Sequence, residues 1–127
     1  MRFVAFAAIV IGLGLSACGD EGGAGALLAG GTHRYVTDLD GLRGVATLSS
    51  EPLVTHVRVE GEIRSAVARY VLAVDLIGDA GYGDMTDLGA NQRMRAHMAL
   101  NDEGFLLTVN PFGAPTRYQF RPCSDCE

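Results

Sequence analysis

The chain has 127 residues, 48% of them hydrophobic and 20% charged, and its 15 acidic side chains against 10 basic ones leave a formal net charge of −5. Every basic residue is an arginine, which excludes a phosphate-loop lysine, Schiff-base catalysis and a lysine general base. A net negative chain without a basic cluster also lacks the electrostatic footprint of a nucleic-acid binder, so one small domain with an acidic surface is expected.

Met1 and Arg2 precede an uncharged apolar stretch from Phe3 to Leu15 and a small-residue end, Ser16-Ala17-Cys18. This is the anatomy of a secretory signal. The stretch makes only about 20 Å of helix against a hydrocarbon core of about 30 Å, so it reads as an export signal and not as a span. Leu15-Ser16-Ala17-Cys18 resembles the lipobox of bacterial lipoproteins: an aliphatic residue, two small residues and a cysteine. The resemblance covers residues 1–18 only. It implies a diacylglycerol thioether on Cys18, signal cleavage between Ala17 and Cys18, and a mature chain beginning at Cys18. The implied partner is the lipid bilayer, held stably because two or more acyl chains anchor where one binds only marginally. In that family an aspartate directly after the cysteine favours inner-membrane retention in some bacteria. Gly19 stands there instead, so the outer membrane is the expected destination in a Gram-negative cell.

Gly19 to Thr32 holds six glycines and three alanines around Asp20 and Glu21, with Leu27-Leu28 its sole bulky apolar pair. Such a stretch is expected to bury too little surface to offset its ordering entropy and to act as a flexible tether. The expected organisation is therefore signal peptide 1–17, lipidated cysteine and tether 18–32, β domain 33–122 and a terminal tail 123–127.

Period-two alternation marks the domain as all-β. Tyr35 to Thr37 and Val45 to Leu48 flank the turn Asp38-Leu39-Asp40-Gly41 as a first hairpin. From Leu53 to Glu60, Leu53, Thr55, Val57 and Val59 share one face. Gly61 reads as the next turn, with Glu60 and Glu62 beside it. Glu62 to Ile77 fits a helix through Ile63, Ala66, Val67, Tyr70, Val71 and Val74. Its valines and tyrosine favour a strand over Ala68 to Ile77 with Tyr70, Leu72, Val74 and Leu76 inward. Met94, Ala96, Met98 and Leu100 then face inward. After Asn101-Asp102-Glu103-Gly104, Phe105, Leu107 and Val109 return. After Pro111-Phe112-Gly113-Ala114-Pro115, Tyr118 and Phe120 close a C-terminal meander. About seven short strands result, the pattern of a small antiparallel sandwich or barrel.

The longest irregular stretch is expected from Gly78 to Gln92. Long loops on small domains often carry function, so Asp79, Tyr82, Asp84 and Asp87 form the candidate binding loop. Neither these aspartates nor Asp38 and Asp40 follow calcium-loop spacing. Met85, Met94 and Met98 with His97 raise soft-metal handling, but His97 points away from the methionine face and core filling explains the methionines better.

Lipidation of Cys18 leaves Cys123 and Cys126 as a C-x-x-C pair. In an exported chain the expectation is a disulfide closing a small ring. A redox pair needs a helix beginning at the first cysteine, and only Glu127 follows Cys126. Two thiolates are half a zinc site, but His33, His56 and His97 are solitary. No cofactor is expected beyond the lipid on Cys18, with metal at the terminal pair left open. No catalytic serine, cysteine or metalloprotease motif stands in the chain.

The expected function is a membrane-anchored, non-catalytic envelope lipoprotein with a β-rich binding or structural domain, meeting an envelope protein or a small molecule. A metal-handling lipoprotein using Cys123 and Cys126 is the alternative, followed by a small envelope hydrolase or redox enzyme. Replacement Cys18→Ala is expected to abolish incorporation of a fatty-acid probe and leave the precursor uncleaved; undiminished labelling would refute the lipobox reading.

Overall fold

Period-two alternation governs nearly all of residues 24–123 and 126, which the computed structural model describes. A short helix, α1 (Ala24–Ala29), leads into eight strands: β1 (Gly31–Leu39), β2 (Leu42–Pro52), β3 (Val57–Arg64), β4 (Arg69–Ile77), β5 (Ala80–Asp87), β6 (Gln92–Asn101), β7 (Gly104–Val109) and β8 (Thr116–Pro122). Each strand pairs antiparallel with the next, and β8 pairs back onto β1, so the sheet closes into a barrel with no free edge. Closure removes the unpaired backbone groups that make an open sheet sticky.

An eight-stranded barrel is just wide enough for side chains to fill its interior. Tyr35, Ala46, Leu48, Val59, Ile63, Leu72, Val74, Leu76, Met98, Phe105, Leu107 and Phe120 do so, all essentially inaccessible to solvent. The largest side chains gather on neighbouring strands of one wall. Phe105 stacks on Phe120 with centroids 4.6 Å apart, and Tyr35 meets Phe105 edge-on at 4.9 Å. Four strands round from β1, the inward positions of β5 are Gly81, Gly83 and Met85, paired with Leu76, Val74 and Leu72. A Cβ at Gly83 would stand 1.9 Å from the Ala73 carbonyl oxygen of β4. The wall therefore bends too tightly there for any side chain.

The turns explain the register. Asp40 and Gly41, at φ 55° and 91°, form a two-residue hairpin turn between the paired residues Leu39 and Leu42. Asp and Gly tolerate the left-handed backbone that such a turn requires. The Asp38 carboxylate accepts the Gly41 amide at 2.7 Å.

Four expectations need correction. The barrel has eight strands, because Ala80–Asp87 inside the expected loop is a strand; its inward positions are glycine, so the apolar alternation that marks a strand is missing. Gly61 is no turn but lies mid-strand in β3 between Leu48 and Leu72, while Leu53 to His56 make the turn. A Cβ at Gly61 would meet the Thr47 carbonyl, so this glycine too serves close strand approach. Finally, residues 24–32 of the expected tether belong to the fold: α1 lays Leu27 fully buried over one end of the barrel. The core itself supplies the apolar surface that the tether composition lacks. Residues 18–23 lie outside the described part, as do Ala17 and the rest of the signal segment. Strand β4, the inward faces of β6 and β7 and the C-terminal meander stand as expected.

Tyr35 is wholly buried and its hydroxyl meets no hydrogen-bond partner among the described residues. An unpartnered buried hydroxyl costs about 1–3 kcal/mol, so Tyr35→Phe is expected to stabilise the barrel and raise Tm by several degrees. Burial also pushes the phenol up to about 12. Below about pH 10 both folded and unfolded chains keep this proton; above it the unfolded chain loses the proton first, and stability falls by about 1.4 kcal/mol per pH unit until the folded phenol ionises. Denaturant unfolding at pH 9 and pH 11.5 checks both statements: the wild-type loss should exceed that of Tyr35→Phe, and equal losses would contradict the assignment.

Candidate functional site

With the interior closed by packing, side chains available to a ligand are those on the outer wall and the rims. Outward positions of β3 to β6 form a charge ladder. Arg58 pairs with Asp75 at 2.6 Å and with Glu60 at 3.2 Å, Arg69 and Arg64 both reach Glu62, and Asp84 holds Arg93 at 3.1 Å and Arg95 at 3.7 Å. Glu60 and Glu62 thus share one face of β3, as their spacing suggests, but each is neutralised by arginine. All of these pairs are solvent-exposed and contribute little stability individually. Their effect is to fix long side chains in place along the wall.

One part of this wall is different. Tyr82 on β5 stands opposite His97 on β6, their rings 4.6 Å apart. The β7–β8 connection folds back so that Phe112 stacks on Tyr82 at 5.5 Å with the rings 19° apart. Asn110, in the left-handed region at φ 57°, turns the chain there, and its amide donates to the Arg95 carbonyl at 2.8 Å. The Arg95 guanidinium carbon lies 5.8 Å from the centre of the Tyr82 ring, within the range of a cation–π contact. Phe112 remains 77% exposed and Tyr82 44%. Two guanidiniums share the single carboxylate of Asp84, so the β6 side of this platform carries local positive charge, while on the β4 side Asp75, paired with Arg58, stands opposite Tyr82.

The four candidate loop residues do not converge. Tyr82 and Asp84 face outward from β5 and belong to the platform. Asp79 occupies the tight β4–β5 turn after Gly78, whose φ is 72°. Asp87 lies at the far end of β5, where its carboxylate accepts the amides of Gly89 and Ala90 at 3.0 and 3.2 Å. Asp79 and Asp87 are turn-formers at opposite rims. Phe112, Arg93 and Arg95 complete the platform without having been candidates, together with His97, which was weighed only as a soft-metal ligand. A phenylalanine at the tip of a Pro-Gly turn, where polar residues are usual, is the signal that was present in the sequence.

At the rim holding the β1–β2, β3–β4, β5–β6 and β7–β8 turns, Tyr70 and Tyr118 are partly buried at inward positions. Both phenols are raised, chiefly by desolvation, with added repulsion from Asp87 and Asp40 at Tyr70 and from Asp40 at Tyr118. They stay protonated through the physiological range as hydrogen-bond donors. Beside them an open depression of about 860 Å³ lies between the Arg64 to Arg69 and Asp87 to Ala90 turns, with Val67 and Leu88 exposed on it.

Cys123 and Cys126 are joined, their Cα atoms 5.7 Å apart. The bond sits where the barrel closes. The Cys123 amide donates to the Arg34 carbonyl at 3.0 Å, and the Arg34 guanidinium donates to the Cys126 carbonyl at 2.8 Å. The Thr37 hydroxyl donates to the Gln119 carbonyl at 2.7 Å along the same seam. Among the described residues no group of three histidine, cysteine or acidic side chains is placed to hold a metal ion. The methionines of β6 face inward and His97 outward, so they form no common site.

The chain matches no protein-family model, no curated protein and no solved structure. Because the disulfide closes only a four-residue ring, it constrains the unfolded chain little. Cys123→Ser with Cys126→Ser is expected to lower Tm by only a few degrees while amide exchange rises at Val36 and Cys123; a collapse of the whole fold would contradict a purely local role.

Proposed function

We propose that this protein is a lipid-anchored, non-catalytic binding module of the bacterial cell envelope, contacting an acidic partner through the Tyr82–Phe112 platform. The observation that carries the reading is an exposed aromatic stack, flanked by arginines, on a barrel whose interior is occupied by its own core. Aromatic rings and arginine are the side chains that contribute most to binding when they become desolvated at an interface. The platform is preorganised: β5 and β6 hold Tyr82 and His97 in register, and Asp84 fixes the two guanidiniums. Little side-chain freedom is left to lose on binding.

Anchorage rests on Leu15-Ser16-Ala17-Cys18 and on the apolar stretch before it, and no helix among the described residues is long and apolar enough to cross a membrane. The alternative of metal handling by the terminal cysteines loses support because a joined pair presents no thiolate. Redox exchange loses it because the backbone of both cysteines is tied to Arg34 at the barrel seam.

A photoreactive phenylalanine analogue placed at position 112 in living cells is expected to give a discrete cross-linked adduct, and the same group at Val71, exposed on β4, none. Arg95→Glu should reduce the adduct severalfold by reversing the local charge. No adduct at 112, or equal adducts at both positions, would overturn the platform as the contact surface.

A further inference from the structure

Most of the large apolar side chains left in water among the described residues sit at the two rims of the barrel and not on its wall. The rim covered by α1 also holds the β2–β3 turn, the β4–β5 turn and the β6–β7 turn, because β1 begins where β2 ends and each strand reverses the last. On this rim Leu28, Leu53, Val54 and Ile77 are exposed, Val54 completely and Ile77 at 76%. They are neighbours by topology. Gly30, just after α1, lies against Pro52; Leu53 and Val54 follow Pro52; and Val57, after that turn, pairs with Leu76 beside Ile77. Aliphatic residues at the tips of tight turns contribute nothing to the core, and turn chemistry favours polar residues there.

The chain itself specifies what covers this rim. Five residues separate Cys18 from Ala24, the first residue of α1, so six residue steps join them. A chain reaches at most about 3.6 Å per residue, so a lipid on Cys18 lies within about 22 Å of α1. The opposite rim also exposes Leu42, Val67 and Leu88, but it stands a further barrel length away, about 20 Å for tilted strands of this size. The same tether therefore holds the α1 rim nearest the bilayer, whereas the opposite rim reaches it only with the tether drawn out almost fully along the barrel wall.

We infer that the α1 rim rests on the lipid surface, with Leu53, Val54 and Ile77 dipping into the boundary between headgroups and acyl chains. The inference rests on the lipid at Cys18 proposed above and adds an orientation to it. The contact is apolar and not electrostatic, since Asp79, Asp102 and Glu103 occupy the other turns of this rim. Neutral lipids suffice, and an anionic surface would repel that side. Seated this way, the barrel stands on its α1 end and directs the rim of Tyr70 and Tyr118 away from the membrane.

The test uses the full lipidated chain in vesicles of phosphatidylcholine and phosphatidylethanolamine, carrying a polarity-sensitive fluorophore on Val54→Cys, Ile77→Cys or, as the control, Val67→Cys. Labels at 54 and 77 are expected to shift to shorter wavelength and to be quenched severalfold more by nitroxide-bearing lipids than the label at 67. Flotation with the vesicles is scored on the same samples, with Cys18→Ala as its control. A chain that floats while labels at 54 and 77 behave like the label at 67 overturns the orientation and leaves the anchor standing. A chain that does not float, or floats equally as Cys18→Ala, overturns the anchor and the orientation with it.

Discussion

The structure depends on one geometric constraint: the side chains that face into a closed eight-stranded barrel must together fill the narrow width that closure leaves, unless a ligand takes that space. This chain meets the constraint unevenly. Tyr35, Phe105 and Phe120 crowd the wall made by β1, β7 and β8, and the wall opposite offers Gly81 and Gly83. Large side chains on one side and none on the other let the inward residues share the narrow interior, since protein interiors are close-packed. The same glycines let β5 lie against β4 closely enough that an added methyl group would collide with backbone. Closure also accounts for the seam. Only Tyr35 and Val36 pair with β8 in register, and the Arg34, Thr37 and Cys126 contacts extend that short ladder by side-chain means.

Filling the interior leaves the outer wall and the rims as the surfaces that a partner can reach. Wider barrels bind small molecules within, but here the core takes that space. What the outer wall offers is shape and charge fixed by strand register: pairing puts Tyr82 beside His97 and Asp84 beside Arg95. A flat face of this kind suits a macromolecular partner better than a small ligand that needs to be enclosed. The two rims then divide the remaining tasks. One is capped by α1 and lies near the expected anchor, and the other carries the partly buried phenols and the open depression.

Several of these features were legible from the residues because they depend on local pattern alone. Strict alternation in Tyr70 to Leu76 and Met94 to Leu100 placed the inward faces of β4 and β6, since neighbouring side chains on any strand point to opposite sides. Asp40-Gly41 marked a turn through the backbone conformations those residues tolerate. The cysteine spacing pointed to a joined pair. In contrast, β5 was hidden because glycine leaves no hydrophobic signature, and its irregular look is a consequence of the space it must leave for neighbours.

What the sequence determined by itself is the all-β class, the C-terminal meander, the inward residues of the strongly alternating strands, and the motif that points to an anchor at Cys18, for each is written in residues close together in the chain. What only the tertiary structure decided is closure into a barrel, the folding of Leu27 into the core and the meeting of Tyr82, His97, Arg95 and Phe112. Each of these depends on contacts between residues distant in sequence. Leu27 is buried only because β1 and β2 provide a surface beneath α1, and Phe112 meets Tyr82 only because β6 and β7 carry the chain back across the wall. Local propensity has no access to such contacts, and the free energy that selects them comes from removing apolar surface from water in the folded whole.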